Sequence, residues 1–178
     1  MTASGLLVLD DALPPADLAE VAGVVDGLEV TGQQVGRARA DGLPERRRRG
    51  QTDDPRIPTL LWRALAPHVV GPEYWRPVGC NPRSRVYRYG LGERFAPHVD
   101  EPWRPESGRR TLLTVLLYLA GEEPCVGGET VVGETVVAAV PGRIAVFEHG
   151  LRHEGRPVEA GEKVVVRSDV VFERTVGG

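Results

Sequence analysis

Cysteine is nearly absent from this sequence, and its scarcity excludes two common architectures. The chain of 178 residues has two cysteines, Cys80 and Cys125, and neither belongs to a Cys-x-x-Cys pair. A small disulfide-stabilised domain needs several cysteines, and a structural zinc site needs closely spaced ones. We therefore expect neither a disulfide framework nor a structural zinc site.

An excess of charge of one sign is also missing. The 22 lysine and arginine residues are balanced by 25 aspartate and glutamate residues, which gives a net charge of −3 at pH 7. Proteins that bind nucleic acid usually carry a clear basic excess on the binding face. Nucleic acid is therefore not an expected partner. The one basic run, at 45–50, lies among acids and glycines and is interpreted as a solvated loop.

Long hydrophobic runs are missing as well. The apolar stretch from Leu6 to Leu9 is too short for a signal peptide or a membrane span. We therefore expect a cytoplasmic protein with no membrane partner. A length of 178 residues suffices for one domain with a core but not for two comfortable ones, so we predict a single domain over 1–178.

Two helices are predicted in the N-terminal part of the chain. The first follows Pro14–Pro15, because proline is tolerated in a first turn, and ends near Gly27. The second begins at Asp54–Pro55 and stops before Pro67. Between them, 29–34 looks extended, whereas the stretch from 36 to 53 is rich in glycine, arginine, aspartate and proline and is predicted to be a mobile loop.

The character of the sequence changes from residue 77 onward. Short β-rich runs follow each other there, separated by glycine and proline. Several strands at short, regular spacing indicate a sandwich or barrel rather than βαβ units. We expect a mainly β (α+β) fold in which two or more N-terminal helices pack on one sheet of a double-sheet jelly roll. The predicted strands are 84–89, 94–99, 111–119, 129–132, 135–139, 143–148 and 163–172.

The most informative stretch runs from Arg85 to Asp100 and ends in a His-x-Asp pair. Residues two apart on a strand project to the same side, so His98 and Asp100 can present an imidazole and a carboxylate to one point. Two histidines and one carboxylate form the facial set that holds octahedral iron(II) and leaves three positions open. His153, which precedes a Gly-Arg-Pro-Val turn, is the preferred third ligand, and His149 is the alternative.

Two cations lie on the last predicted strand. Lys163 and Arg167 are separated by three valines, residues 164–166. If Val164 and Val166 pack under the helices, both cations face the interior of the barrel. A buried carboxylate needs a cationic partner, so one of the two is a candidate for binding such a group and the other for reaching a substrate. The sequence leaves the choice between them open.

Tyrosine hydroxyls are candidates to complete that carboxylate site, because a phenol both donates and accepts hydrogen bonds. Tyr89 shares one strand face with Tyr87 and Arg85. Tyr118 shares another strand face with Thr114.

Several segments, in order along the chain, resemble one known family. Residues 89–100, Tyr-Gly-Leu-Gly-Glu-Arg-Phe-Ala-Pro-His-Val-Asp, are similar to the Tyr-x-x-Gly-x-x-aromatic-x-x-His-x-Asp segment of the prolyl 4-hydroxylase-like 2-oxoglutarate/Fe(II) dioxygenases. Residues 114–119 and then 127–130 are similar to the Tyr-Leu…Gly-Gly-Glu-Thr stretch of that family. Residues 153–163 resemble its His…Pro-Val-x-x-Gly-x-Lys/Arg ending. The resemblance covers roughly 81–172.

The resemblance implies a distorted double-stranded β-helix that uses Fe(II), 2-oxoglutarate and O₂, with ascorbate as a candidate reductant. Succinate and CO₂ leave as one oxygen atom enters a C–H bond of the substrate. The implied iron ligands are His98, Asp100 and His153. The residues implied at the distal carboxylate of 2-oxoglutarate are Lys163, Tyr89, Tyr118 and Thr114, with Arg167 as the second cation.

The resemblance leaves the substrate open. In relatives a loop before the barrel closes over the substrate, and residues 31–53 occupy that place. Trp103 follows the His-x-Asp motif and is a candidate lid or substrate wall, while Arg85 and Tyr87 are further substrate candidates. An amino acid-like small molecule is the preferred substrate, because the domain has no added peptide-binding module and an arginine can grip a carboxylate.

Three rival functions follow. The first is hydroxylation of a prolyl or similar residue in a protein or peptide. The second, from a different class, is a non-catalytic cupin-type metal-binding module. The third is a nucleobase demethylase, which the net charge of −3 disfavours.

Overall fold

The structure is a computed structural model that describes residues 5–34, 46–105 and 108–175. Its helices are α1 (Pro15–Asp26) and α2 (Arg56–Leu65). Its strands are β1 (Leu6–Leu9), β2 (Thr31–Gln34), β3 (Arg46–Thr52), β4 (Trp75–Cys80), β5 (Ser84–Tyr89), β6 (Phe95–His98), β7 (Arg109–Leu119), β8 (Val126–Gly127), β9 (Thr130–Val132), β10 (Thr135–Val137), β11 (Ile144–Glu148), β12 (His153–Gly155), β13 (Val158–Ala160) and β14 (Lys163–Arg174). Neither helix has the length and apolar character needed to cross a membrane, a finding that covers the described residues.

Both predicted helices form, and their ends follow from local chemistry. Helix α1 begins directly after Pro14, and Gly27 caps its C-terminus. Helix α2 begins at Arg56, whose backbone N–H donates to the Asp54 carboxylate at 3.0 Å. A carboxylate at this position satisfies one of the N–H groups that a helix start leaves without an intrahelical acceptor.

The strands form two main sheets. The larger has the order β1-β11-β7-β14-β5-β3-β2, and β4 pairs with the far part of β14. The smaller has the order β10-β9-β12-β6, and β8 and β13 form a separate pair. Mostly antiparallel strands in two facing sheets, with helices on one outer face, are the predicted jelly roll, which is confirmed.

The hydrophobic core has two layers, one on each face of the larger sheet. On the outer face, Val164 and Val166 of β14 pack with side chains of both helices, including Val21 and Leu61. The inner layer lies between the two sheets and contains Leu116, Tyr118, Phe147, Val165, Val132 and Val137. Because alternate residues of a strand point to opposite faces, the valines under the helices leave Lys163 and Arg167 on the inner face.

The prediction of a loop over 36–53 is wrong for its second half. Residues 46–52 form β3, which pairs with β2 on one side and with β5 on the other. A run of arginines is typical of a solvated loop, but here the open edge of β5 offers backbone hydrogen bonds to this segment. Glu162 also accepts a hydrogen bond from Arg48 Nη2 at 2.7 Å. Residues 35–45, which belong to the predicted lid of 31–53, lie outside the described residues.

Candidate active site

Two neighbouring strands of the smaller sheet bring the first two candidate metal ligands together. His98 ends β6, His153 begins β12, and these two residues are paired partners in the antiparallel register. Directly opposed residues of antiparallel strands project to the same face. The two imidazole rings accordingly lie side by side, with centroids 4.1 Å apart.

Asp100 completes the cluster from the segment that follows β6. Its backbone N–H donates to the carbonyl oxygen of His149 at 3.0 Å, which fixes the chain beyond the strand. Asp100 Oδ2 lies 3.5 Å from His153 Nε2, and Asp100 Oδ1 lies 3.9 Å from His98 Nε2. The ligand atoms of the three residues all fall within 4.8 Å of one another.

The hydrogen bonds of the two imidazoles define which nitrogen is free. His98 Nδ1 lies 2.8 Å from the carbonyl oxygen of Ala96, and His153 Nδ1 lies 2.9 Å from that of Leu151. A carbonyl oxygen can only accept, so each Nδ1 carries a hydrogen, and in the neutral form of each ring the lone pair is on Nε2. Both lone pairs are directed at the space beside Asp100, which is the arrangement a metal-binding histidine requires.

Aromatic side chains hold the imidazoles in place. Phe95 stacks on the ring of His98 with centroids 3.9 Å apart, and Phe147 lies against the ring of His153 at 4.6 Å. Burial lowers the pKa of His153 below its ordinary value, which keeps the imidazole neutral and able to coordinate.

The charge of Asp100 is maintained by its neighbours. Burial acts to raise the pKa of Asp100, but the guanidinium of Arg167 and the hydroxyl of Thr114 outweigh burial and lower it. Arg167 Nη2 lies 3.0 Å from Oδ1, and Thr114 Oγ1 donates to Oδ2 at 2.5 Å. Two imidazoles and one ionised carboxylate are the donor set that suits Fe(II), so these residues fit that metal.

Lys163 lies on the inner face of the larger sheet, at the start of β14. It is 4% exposed, and its Nζ donates to Thr130 Oγ1 at 3.2 Å. The rings of Tyr89 and Tyr118 lie 5.6 and 5.7 Å from Nζ, and the Tyr118 hydroxyl also donates to Thr130. Burial lowers the pKa of Lys163 to about 8. Within the described part of the chain, no carboxylate lies within ion-pair distance of Nζ.

The surroundings of Lys163 leave room for a carboxylate. A Cβ added at Gly155 would stand 3.5 Å from Lys163 Nζ, and one added at Gly128 would stand 3.3 Å from Lys163 Cδ. Gly128 also has a φ of +65°, which side chains rarely adopt. The space that these two glycines leave beside the buried Lys163 ammonium fits the distal carboxylate of 2-oxoglutarate.

Arg167 and Thr114 lie in a different part of the inner face. Arg167 contacts Asp100 and also Asp169 Oδ1 at 3.1 Å. Burial acts to lower the pKa of Arg167, but Asp169, Asp100 and a hydrogen bond with Tyr87 outweigh it and raise that pKa. Thr114 contacts Asp100 and His149 instead of Lys163. This geometry does not support the predicted contact of Thr114 or Arg167 with the distal carboxylate of 2-oxoglutarate.

The predicted substrate residues divide between a cavity and the interior. A cavity of about 820 Å³ opens beside Asp100 and is lined by Arg85, Arg167 and Trp103, among others. Tyr87 is buried, with ring centroids 6.3 Å from Tyr89 and 6.2 Å from Phe95.

Sequence reasoning missed Asp169 and Thr130. Asp169 follows Arg167 at the two-residue spacing of a strand face, so the alternation of β14 contained the signal for it. Thr130 ends the Gly-Gly-Glu-Thr stretch of the family resemblance, but no local spacing indicated its contact with Lys163, because that contact spans two sheets. His149, the alternative ligand, is not in the three-residue cluster; its ring contacts Thr114 and Thr111.

Comparison with known proteins agrees with this geometry. The sequence model of the 2OG-Fe(II) oxygenase superfamily matches residues 84–168. A PKHD-type hydroxylase of Maricaulis maris (strain MCS10) is 30% identical over 154 residues, which are 84% of this chain and 67% of that protein. The chain therefore belongs to the 2OG-Fe(II) oxygenase superfamily.

Solved structures share the fold over nearly the whole chain. A 2OG-Fe(II) oxygenase family oxidoreductase from Burkholderia pseudomallei superposes with a TM-score of 0.67 at 19% identity, covering 99% of this chain and 88% of that one. A prolyl hydroxylase from Trichoplax adhaerens, in complex with a hypoxia inducible factor oxygen degradation domain peptide fragment, gives 0.63 at 15% identity, covering 94% and 84%.

Membership of this superfamily makes the protein an Fe(II)- and 2-oxoglutarate-dependent oxygenase of the hydroxylase type that consumes O₂. The cupin-type binding module is thereby excluded. The use of ascorbate stays a prediction.

Proposed function

We propose that this oxygenase hydroxylates a C–H bond of an amino acid-like small molecule and that Arg85 binds the carboxylate of that molecule. The proposal rests on the position and the hydrogen-bonding partners of the Arg85 guanidinium. Arg85 lines the cavity beside Asp100, and no hydrogen bond or ion pair engages its guanidinium among the residues that the structure describes. A partly buried cation without a protein partner favours an anionic ligand.

Arg167 is the weaker candidate for that role. Its guanidinium lies between the carboxylates of Asp100 and Asp169, at 3.0 and 3.1 Å. Two anions already neutralise this one cation, so a third would meet net negative charge. We assign Arg167 to holding Asp100 and Arg85 to the substrate.

Different residues of the site would bind the metal, bind 2-oxoglutarate and exclude water. His98, Asp100 and His153 would hold Fe(II), which with 2-oxoglutarate and O₂ supplies the oxidising chemistry. Lys163 would bind the distal carboxylate of 2-oxoglutarate, and Thr130 orients its ammonium. Phe95 and Phe147 cover the imidazoles and keep water from the reacting atoms.

A prolyl or other residue of a peptide is the second candidate substrate. Trp103 favours it, because this side chain is 42% exposed at the rim of the cavity, where an extended peptide would cross. Exposed aromatic side chains are frequent anchors for peptide ligands. The peptide-bound prolyl hydroxylase from Trichoplax adhaerens shares the fold.

The first experiment screens free amino acids and proline-containing peptides for the gain of one oxygen atom, with succinate release measured in parallel. Replacing His98 or Asp100 by Ala is expected to abolish both signals. Succinate release at the wild-type rate from either variant would refute the ligand assignment. Oxygen gain confined to peptides would refute the small-molecule proposal.

The role of Arg85 is tested by Arg85→Met with Arg83→Met as the matched control. Arg83 lines the same cavity but is exposed and donates to Asp53 at 3.1 Å. We expect Arg85→Met to raise the KM for the amino acid at least about tenfold, since charge-assisted hydrogen bonds contribute about 1.5–3 kcal/mol. Equal KM values for the two variants would contradict the assignment.

A further inference from the structure

A chain of hydrogen bonds connects the candidate iron ligand Asp100 to the wall of the substrate cavity through a buried histidine. Trp103 N–H donates to Thr111 Oγ1 at 2.9 Å, and Thr111 Oγ1 lies 2.9 Å from His149 Nε2. On the other side of the ring, His149 Nδ1 lies 2.8 Å from Thr114 Oγ1, which donates to Asp100 Oδ2 at 2.5 Å. His149 is 5% exposed.

The donors and acceptors of this chain have one consistent order for a neutral imidazole. The Asp100 carboxylate can only accept, so Thr114 donates its single hydroxyl hydrogen to Asp100. The Thr114 oxygen must then accept a hydrogen bond from His149 Nδ1. The imidazole then has a lone pair on Nε2, which accepts from Thr111. The oxygen of Thr111 accepts in turn from the Trp103 amide. Each side-chain polar group that takes part in this hydrogen-bond chain therefore has a partner.

Backbone hydrogen bonds of His149 and Thr111 reinforce this hydrogen-bond chain. Its carbonyl oxygen accepts from the Asp100 N–H at 3.0 Å, and its own N–H donates to Leu112 at 3.1 Å. Thr111 donates its backbone N–H to the Trp103 carbonyl oxygen at 3.0 Å. The segment that carries Asp100 and Trp103 is thus attached to β7 and to the turn after β11.

We propose that His149 is a positioning residue that holds the Asp100 carboxylate through Thr114 and the Trp103 wall through Thr111. These contacts fix the position of the metal ligand Asp100 relative to the cavity wall at Trp103. The proposal rests on the proposed function, in which Asp100 binds Fe(II). A hydrogen-bonding partner of a metal ligand changes metal affinity when it is removed, typically by about 10–100-fold.

The two ring nitrogens of His149 can be tested separately. The amide of an asparagine stands near the position of Nδ1 and reaches Thr114, whereas the amide of a glutamine stands near Nε2 and reaches Thr111. His149→Asn is expected to keep the affinity for Mn(II) or Co(II) within about threefold of wild type and to accelerate amide exchange at Trp103. His149→Gln is expected to weaken metal binding about 10-fold or more and to preserve the exchange protection of Trp103.

The measurements use the apoprotein of all 178 residues without 2-oxoglutarate, with metal titrations under anaerobic conditions and hydrogen exchange followed by mass spectrometry. Thr114→Val is expected to lose metal affinity as His149→Gln does. Ser168→Ala removes a hydroxyl that is also buried but contacts the carbonyl oxygen of Asn81 at 3.4 Å, and it is expected to bind metal as wild type does.

Two outcomes separate this inference from the proposed function. Wild-type metal affinity in Asp100→Asn would overturn the assignment of Asp100 as a ligand. The role of His149 alone would be overturned by a different outcome, in which Asp100→Asn loses metal binding. In that outcome His149→Asn and His149→Gln do not differ from each other in metal affinity or in amide exchange at Trp103. The opposite responses of the two polar variants also distinguish positioning from a general loss of stability, which would change both readouts in both proteins.

Discussion

At the scale of single residues, Lys163 and Arg167 show how two buried cations on one strand differ in what they can bind. Arg167 contacts two carboxylates, which raise its pKa against the effect of burial. Lys163 has a hydroxyl, two aromatic rings and two glycines around it, and burial lowers its pKa to about 8. A lysine in that state gains a strong partner only when an anion enters, so its charge depends on pH and on ligand.

The binding of 2-oxoglutarate is therefore expected to weaken as the pH rises above 8. Below the pKa of about 8 the Lys163 ammonium is charged and can bind the distal carboxylate. Above it, binding must first protonate the amine, so the Kd should rise about 10-fold for each further pH unit. Calorimetric titration of 2-oxoglutarate into the Mn(II)-loaded protein from pH 7 to pH 9.5 measures this slope.

Lys163→Arg is the control for that slope, because a guanidinium stays charged throughout the range. The metal ligands are the same in both proteins, so their titration cancels in the comparison. A parallel rise of Kd in wild type and Lys163→Arg would assign the pH dependence to another group. The same pKa also implies that Lys163 costs the apoprotein stability below pH 8, and that this cost fades as the pH rises toward the unfolded value of 10.5.

At the scale of elements, the central strands were predictable because their own patterns define them. The alternation of β14 places valines under the helices and cations inside, and its predicted start at Lys163 is the observed one. The basic strand β3 was not predictable in this way. Its arginines match neither an apolar nor an alternating pattern, and it is a strand because β5 offers an unpaired edge. Pairing with a distant segment leaves no trace in local sequence.

The candidate site was predictable to a similar degree. The His-x-Asp spacing follows from the period of a strand, and the structure brings His98, Asp100 and His153 together. The contacts of Thr114 with Asp100 and His149 join residues that lie 14 and 35 positions away in the chain. Strand register decides such contacts, and the sequence alone does not provide it.

Glu162 is expected to stabilise the packing of β3 on β5. It accepts from Arg48 at 2.7 Å and from Arg88 at 3.0 Å, and its side chain is 13% exposed. Glu162→Gln removes the charge from both hydrogen bonds and should lower the free energy of unfolding by about 1–3 kcal/mol. Urea denaturation followed by circular dichroism measures the loss.

Glu173→Gln is the matched control for Glu162→Gln. Glu173 also accepts from two arginines, Arg76 and Arg109, but these contacts are exposed. Exposed ion pairs contribute little, so this variant should lose less stability than Glu162→Gln. A larger loss in Glu173→Gln would mean that Glu162 does not hold β3 in place.

At the scale of the whole molecule, the site lies where the two main sheets face each other. His98 and His153 belong to the smaller sheet, whereas Thr114 and Arg167, which hold Asp100, belong to the larger one. Lys163 also stands on the larger sheet. A metal on the histidines and a dicarboxylate that reaches Lys163 would therefore connect the sheets, as the hydrophobic layer between them does.

Ligands that bridge the two sheets are expected to raise the unfolding temperature together more than the metal does alone. A ligand at about 100 times its Kd stabilises the folded state by about 2.7 kcal/mol. For a chain of this length, that corresponds to a rise in Tm of roughly 5–10 °C. Differential scanning calorimetry with Mn(II), with and without 2-oxoglutarate, measures both increments. EDTA should reverse them, and His98→Ala should show neither. A rise in Tm with Mn(II) that is equal in His98→Ala and wild type would mean that the stabilising metal binds elsewhere. A rise in Tm with 2-oxoglutarate that is equal in Lys163→Met and wild type would mean that the dicarboxylate does not reach the larger sheet.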